Sequence, residues 1–307
     1  MKLAGKWITL GVIGAVLCLL PVVVKSEYYV NLLFLLLFHS ALAQSWNILG
    51  GYAGQVSIGH AAFFGAGAFV TRLLWVQGLP LPLALIIAGL VAVILASIIG
   101  IPALRLRGPY FAMGTMALAE ALYLTLRNLL PGVAFLPGRL IAAYSLPPRY
   151  YLALFLVAAI FLCSYLVMNS KAGLAIEAIR NDQDAAEATG VNLFRYKVFS
   201  LTLSAFFMGL TGGAFAYYHA SYYIAYPFSM GWSFEPLVMT IIGGSGTLMG
   251  PIIGAVFFVG LREVLAVQLA QMHIILFGAV FVLVVIFLPG GIVEGWRRIL
   301  RTFFKVR

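Results

Sequence analysis

The sequence predicts an all-α polytopic membrane protein of about ten transmembrane helices with two glycine-rich helix breaks and both termini in the cytoplasm; three observations carry that prediction. The 307 residues are 63% hydrophobic and only 9% charged, whereas a water-soluble domain is roughly a quarter charged. Mostly apolar runs of about 18 residues or more recur along the whole length, the pattern of spanning helices rather than of a weakly alternating barrel. Most of the 19 Lys and Arg residues also fall on one side of the resulting map. Residues 1–307 therefore read as a single transmembrane domain with one long polar excursion at 169–197.

The first run, 7–24, follows Lys2 and Lys6 and ends at Lys25. It is too long for the apolar core of a cleavable leader and no small-x-small site follows it, so it is expected to be an uncleaved first span. The further spans are expected at 28–49, 60–77, 82–102, 109–130, 149–168, 196–219, 234–249, 251–267 and 271–289, the eighth and ninth being short. With the first terminus inside, the cytoplasmic segments hold Lys2, Lys6, Arg105, Arg107, Lys171, Arg180, Arg195, Lys197 and the basic run at 297–307. Only Lys25, Arg72, Arg127, Arg139, Arg149 and Arg262 fall on or near the other side, which is the positive-inside bias. The net charge of +10 is thus a topology signal, and no nucleic-acid partner is expected. Cys18 and Cys163 sit in apolar runs without metal or redox spacing and read as small hydrophobes.

Two segments interrupt the helical pattern. Residues 50–60 carry Gly51, Gly54, Gln55, Ser57 and His60, and residues 243–251 carry Gly243, Gly244, Ser245 and Thr247. Irregular backbone at membrane depth must be buried in protein or face a watery cavity. One break in each half points to a translocation path between two parts of the chain. The competing reading, close helix packing through small residues, suits Gly65, Gly67 and Gly254 better. Glu120, isolated in an apolar span, is a further candidate for the path or for a buried packing role. His39 and His60 read more readily as interhelical hydrogen-bonding groups, Glu235 as a helix-terminal carboxylate, Arg262 and Glu263 as a local pair, and Tyr217, Tyr218, Tyr222, Tyr223 and Tyr226 as an aromatic belt.

The excursion at 169–197 concentrates Lys171, Glu177, Arg180, Asp182, Asp184, Glu187, Arg195 and Lys197. Residues 171–179 are helix formers, and Glu177 and Arg180 share a helix face. Asn181 or Asp182 is suited to cap a second short helix, Gly190 to end it and Asn192 to cap the next. This predicts helix, turn, short helix, turn along the cytoplasmic surface, with Ala185 and Ala186 giving a smooth face to a soluble partner.

The run DAAEATG at 184–190 resembles the E-A-A-x-x-x-G coupling signature of ABC importer permeases, with Asp184 where the general pattern has Glu. More specific are WNILGGYAGQVSIGHAAFFG at 46–65, LRLRGPYFA at 104–112, AIRND at 178–182 and LPGG at 288–291. Together they resemble the Liv-type permeases of branched-chain amino acid importers, and the longer span pattern is similar to their M-side subunit. The resemblance implies a permease in a bacterial inner membrane that acts with an H-like second permease subunit as a heterodimer, two ATPase subunits carrying ATP and Mg, and a periplasmic substrate-binding protein. It implies ATPase coupling through Arg180, Asp184, Ala185, Ala186, Glu187 and Gly190. In place of the family's external Thr-Gly-Gly stretch the chain has LPGVAFLPG at 130–138, so recognition on the outer side is expected to differ.

No G-x-x-x-x-G-K-[ST] occurs, since residues 243–247 lack the lysine, so any ATP is expected on partner chains. No metal-spaced cluster or nucleophile–base pair suggests an enzyme, and no metal or cofactor is expected in this chain. Permeases for urea, short amides or aromatic acids remain alternatives within the resemblance. The rival from another class is an ion-driven secondary transporter with Glu120 as the coupling group.

Overall fold

The computed structural model describes residues 14–24, 26–268, 278 and 290–296; Lys2, Lys6, Lys25, the expected span at 271–289 and the basic run beyond 296 lie outside them. Helix α1 (Gly14–Val23) leads to α2 (Glu27–Asn47), which ends in a π-helical turn, Ile48–Tyr52. After an irregular stretch come α3 (His60–Val76) and α4 (Leu81–Leu95), the latter continuing through a second π turn into α5 (Ile101–Ala103). Then follow α6 (Pro109–Leu129), the short strand β1 (Val133–Phe135), α7 (Gly138–Ala142) and α8 (Leu146–Met168). The polar excursion is α9 (Lys171–Asn181) and α10 (Gln183–Ala188), and it feeds α11 (Leu193–Tyr218). Strand β2 (Ser221–Tyr223), a 3₁₀ turn (Tyr226–Phe228), α12 (Gly231–Gly243) and α13 (Gly250–Gln268) follow, and residues 291–296 are again helical. Among the described residues four helices are long and apolar enough to span a membrane, with Gly14–Val23 and His60–Val76 shorter.

Helix α2 is the centre of the bundle, and residues 38–53 form an unbroken buried stretch. Such burial on all sides requires small and polar side chains that let neighbours approach and satisfy one another, because lipid is as apolar as leucine and supplies no hydrophobic drive. Ser40 and Ser45 accordingly donate to the carbonyls of Leu36 and Ala41 at 2.7 and 2.8 Å. Helices α3 and α11 touch backbone to backbone: a side chain at Gly67 would meet the Gly209 carbonyl, and one at Gly212 the Phe64 carbonyl. The packing reading of Gly67 therefore holds, as does that of Gly254 against the Met239 carbonyl and Gly65 against the Phe228 ring. An aromatic layer of Phe64, Phe215 and Trp232 lies beside them, with ring centroids 4.5 to 5.5 Å apart.

The end of α11 remote from α10 is closed by two buried arginines. Arg72 donates to the carbonyls of Ala216 (2.8 Å), His219 and Ala220, and Arg149 to those of Tyr217 (3.0 Å) and Ser145 (2.6 Å). The Arg149 guanidinium also stacks over Tyr144 at 3.7 Å. A helix carboxyl terminus is a partial negative charge with orphan carbonyls, so cations settle there without a carboxylate. Near this end β1 pairs antiparallel with β2. The expected aromatic belt is divided: Tyr223 is exposed, while burial pushes Tyr222 up to about 12 against the opposing pull of the Arg72 guanidinium beside it.

The local pair expected between Arg262 and Glu263 is not formed. Consecutive helical residues point apart. Arg262 turns to Glu235 at 4.0 Å, Glu235 also lies 3.6 Å from His39, and Glu263 accepts a hydrogen bond from Tyr28 at 2.7 Å.

Candidate functional site

The two glycine-rich breaks, far apart in sequence, meet in one junction beside the polar excursion. Asn47, fully buried in the last turn of α2, donates through Nδ2 to the Thr247 carbonyl at 3.1 Å and accepts through Oδ1 from the Gly246 N–H at 2.9 Å. Gln44, one turn earlier, donates to the Leu248 carbonyl. One helix face thus supplies hydrogen bonds that the irregular backbone of 244–249 does not make to itself. Within that loop the Thr247 hydroxyl donates to the Gly244 carbonyl at 2.8 Å and accepts from the Gly250 N–H at 2.9 Å, closing the turn from α12 into α13.

Arg180, in the last turn of α9, reaches into this junction. Its Nη2 donates to the Ser245 carbonyl at 3.3 Å, its stem packs against Gly54, and a side chain at Gly246 would collide with its guanidinium. Gly246 has φ +73, so both its conformation and its crowding require glycine. Beneath, Ile176 and Ile179, both buried, belong to the apolar face of α9; Ile176 forms a small separate core with Tyr52 and Ala53, against which Met168 and Leu248 pack. Each such isoleucine stabilises the docking of α9 by roughly 1.5–3 kcal/mol relative to exposure.

The first break continues inward from the junction. The Trp46 indole donates to the Ser57 carbonyl at 2.9 Å, the Gly59 N–H to the Ser57 hydroxyl at 3.2 Å, and the Ile58 N–H to Thr115 of α6 at 3.2 Å. Buried His60 begins α3 and lies 2.9 Å from the Ser204 hydroxyl, which in turn donates to the Ser45 carbonyl. Ser204 is 11 residues into α11, or ~16 Å from its start. The Ala61 N–H donates to Ser233 at 2.8 Å, and Ser233 stands in the first turn of α12. That helix has 13 residues, so its start is ~20 Å from the junction. The amino termini of α3 and α12 therefore converge inside the bundle, ~16–20 Å along these helices from the α10 end.

The sequence-derived path residues fall into three groups. Gly51, Gly54, Gly243, Gly244, Ser245 and Thr247 are at the junction; Gln55, Ser57 and His60 are buried along the inward stretch. Glu120 is apart, half-buried on α6, with no hydrogen bond or ion pair among the described residues. Asn47 and Gln44 were missed by the sequence reading, although amides at the polar end of an apolar run are a legible signal.

The excursion has the helix, turn, short helix form expected of it. Asp182 caps α10, accepting from the N–H groups of Asp184 (2.9 Å) and Ala185 (3.0 Å), and Asn192 caps α11 through the Arg195 N–H at 2.9 Å. Gly190, with φ +86, ends α10 in a Schellman turn: its N–H reaches the Glu187 carbonyl at 2.9 Å and the Val191 N–H the Ala186 carbonyl at 3.1 Å. Ala186 is buried, whereas Asp184, Ala185, Glu187 and Ala188 are exposed. Lys197, buried in the first turns of α11, donates to Gln183 at 2.7 Å and ties α10 to the bundle. Exposed Arg107 and Asp184 pair at 3.0 Å, a solvent-screened contact of little energetic weight.

The family described as branched-chain amino acid transport system / permease component matches residues 28–285. Among curated proteins the chain is similar to the high-affinity branched-chain amino acid transport system permease protein LivM of Escherichia coli strain K12, 26% identical over 300 residues, covering 87% of this chain and 70% of that protein. The Salmonella typhimurium protein of the same name matches with the same identity and coverage. A probable branched-chain amino acid transport permease protein LivM of Methanocaldococcus jannaschii is 21% identical over 237 residues, covering 69% of this chain and 67% of its own length. No solved structure matches.

Proposed function

The chain belongs to the branched-chain amino acid transport system permease family, and on that premise we propose that it passes branched-chain amino acids across the membrane while α9 and α10 couple it to a separate ATPase. The observation that carries the coupling is the seating of Arg180 between the two breaks, one residue before the turn into α10. A push on α10 is delivered through α9 to the backbone of 245–246 and to Gly54, and from there along 55–60 toward the convergence of α3 and α12. The positive ends of two helix dipoles, at the starts of α3 and α12, favour a substrate carboxylate beside them without a buried cation. Ala185 and Ala188 offer a close approach to a soluble subunit, and Asp184 and Glu187 frame it. The assembly in which this works has a second permease subunit, two ATPases holding ATP and Mg, and a soluble receptor on the far side.

The test is ATP-driven leucine uptake by the complete complex in vesicles, with urea, acetamide and phenylacetate as competitors. Ala185→Trp, which alters only the exposed face of α10, is expected to abolish uptake and receptor-stimulated ATP hydrolysis while membrane insertion is retained. Gly190→Trp is expected to act similarly. Ala186→Asp is less discriminating, since a carboxylate at that buried position would also undock α10 from the bundle. Normal uptake by both Ala185→Trp and Gly190→Trp would refute the coupling role. Uptake by this chain alone under an ion gradient, lost in Glu120→Gln, would establish secondary transport instead.

A further inference from the structure

Beside the junction lies a cavity of about 490 Å³ lined by Tyr52, Met168, Glu177, Arg180, Leu248 and Val293, with the backbone of 246–249 along one side. Glu177 and Arg180 are one turn apart on the same face of α9, so one carboxylate and one guanidinium border the same space. The remaining lining sets Met168, Leu248, Met249 and Val293 beside the polar groups of Tyr52, Asn169 and Thr247. Among the described residues Arg180 makes one long hydrogen bond, to the Ser245 carbonyl at 3.3 Å, and a guanidinium has five N–H donors.

We propose that this cavity is a product-sensing site for a zwitterionic α-amino acid with an aliphatic side chain. The ligand's carboxylate would lie against Arg180, its ammonium against Glu177, and its side chain among Met168, Leu248 and Val293. Because α9 lines one side and the 246–249 loop the other, a ligand held there links the helix preceding α10 to the glycine-rich turn. It therefore resists the relative movement that coupling requires. An amino acid accumulating on the α10 side would slow further uptake. The inference rests on the transport reading above and on α10 facing the cytoplasm.

The experiment uses the complete transporter in proteoliposomes with the ATPase subunits facing the bath and receptor plus leucine sealed inside. Leucine added to the bath is expected to slow ATP hydrolysis in a saturable manner. 4-Methylpentanoate, lacking the ammonium, and 3-methylbutylamine, lacking the carboxylate, are expected to have no effect. Glu177→Gln is expected to retain uninhibited hydrolysis and to raise the leucine concentration for half-inhibition roughly tenfold, with Glu177→Asp restoring part of the sensitivity. Met249→Trp, which narrows the cavity without touching either charge, is expected to do the same. Bath leucine that leaves a working transporter unaffected, or inhibits wild type and both variants alike, would overturn the site while leaving the transport reading intact. A wild-type complex that moves no leucine would overturn both.

Discussion

At the scale of single residues, the junction depends on Asn47. Its amide is the point where the end of α2 and the loop after α12 exchange hydrogen bonds in both directions, at 3.1 and 2.9 Å. Asn47→Ala leaves the Gly246 N–H without its partner, at about 1–3 kcal/mol, and leaves the Thr247 carbonyl with the 3.4 Å hydrogen bond from Tyr52. The variant should lose thermal stability in detergent and, in the complete complex, lose uptake more steeply than it loses abundance in the membrane. Asn47→Asp keeps the acceptor but removes the donor and should be no better. An Asn47→Ala protein with wild-type melting and uptake would show that the junction is held by packing alone. Nothing local in the sequence marks Asn47 as a cross-link: its partners are about 200 residues away, and only the presence of an amide beside apolar neighbours hints at one. Arg149 and Arg72 were equally opaque. Their charges read as outer-side topology markers, but their partners are carbonyls of a helix end whose position no local spacing reveals.

At the scale of elements, what was legible was what is settled within a few residues. The order helix, turn, short helix over 169–197, the cap at Asp182, the stop at Gly190 and the cap at Asn192 all follow from side chains bonding to backbone two or three positions away. The breaks were legible as breaks because glycine clusters do not continue a helix. Their meeting, and the insertion of Arg180 between them, was not, since contact between distant segments is decided by packing. The short helix α10 is too small to be stable alone, so its ends matter. Asp182→Ala should cost about 1 kcal/mol, and Gly190→Ala roughly 1–2 kcal/mol because of the positive φ. Neither removes the exposed alanine face. Both variants are therefore expected to lower the ratio of leucine moved to ATP hydrolysed by a few-fold, rather than to abolish uptake as Ala185→Trp should. Hydrogen exchange at 183–190 should rise in both; an unchanged transport ratio with raised exchange would detach α10's order from coupling.

At the scale of the whole molecule, the structure has two chemically different ends. The α10 end collects Arg105, Arg107, Lys171, Arg195 and Lys197, the pattern that the positive-inside bias expects of a cytoplasmic face. The other end buries two of its arginines, Arg72 and Arg149, against helix carbonyls, so these act less as topology signals than as caps. The β1–β2 pair belongs to that end, and Phe135 on it is exposed. Removing two arginines from the outer tally strengthens the charge asymmetry and with it the expectation that α10 faces the cytoplasm. The placement is open to direct measurement in a background where Cys18 and Cys163 are replaced by alanine. Phe135→Cys should react with a membrane-impermeant maleimide on intact spheroplasts, whereas Ala185→Cys should react only after the membrane is opened. Both positions are solvent-exposed, so lack of reaction reports the side of the membrane rather than burial in this chain. Reaction of Ala185→Cys in sealed spheroplasts would place α10 outside. The docking of an ATPase on it, and the product-sensing cavity beside it, would then both fall, because ATP and accumulated substrate are on the other side.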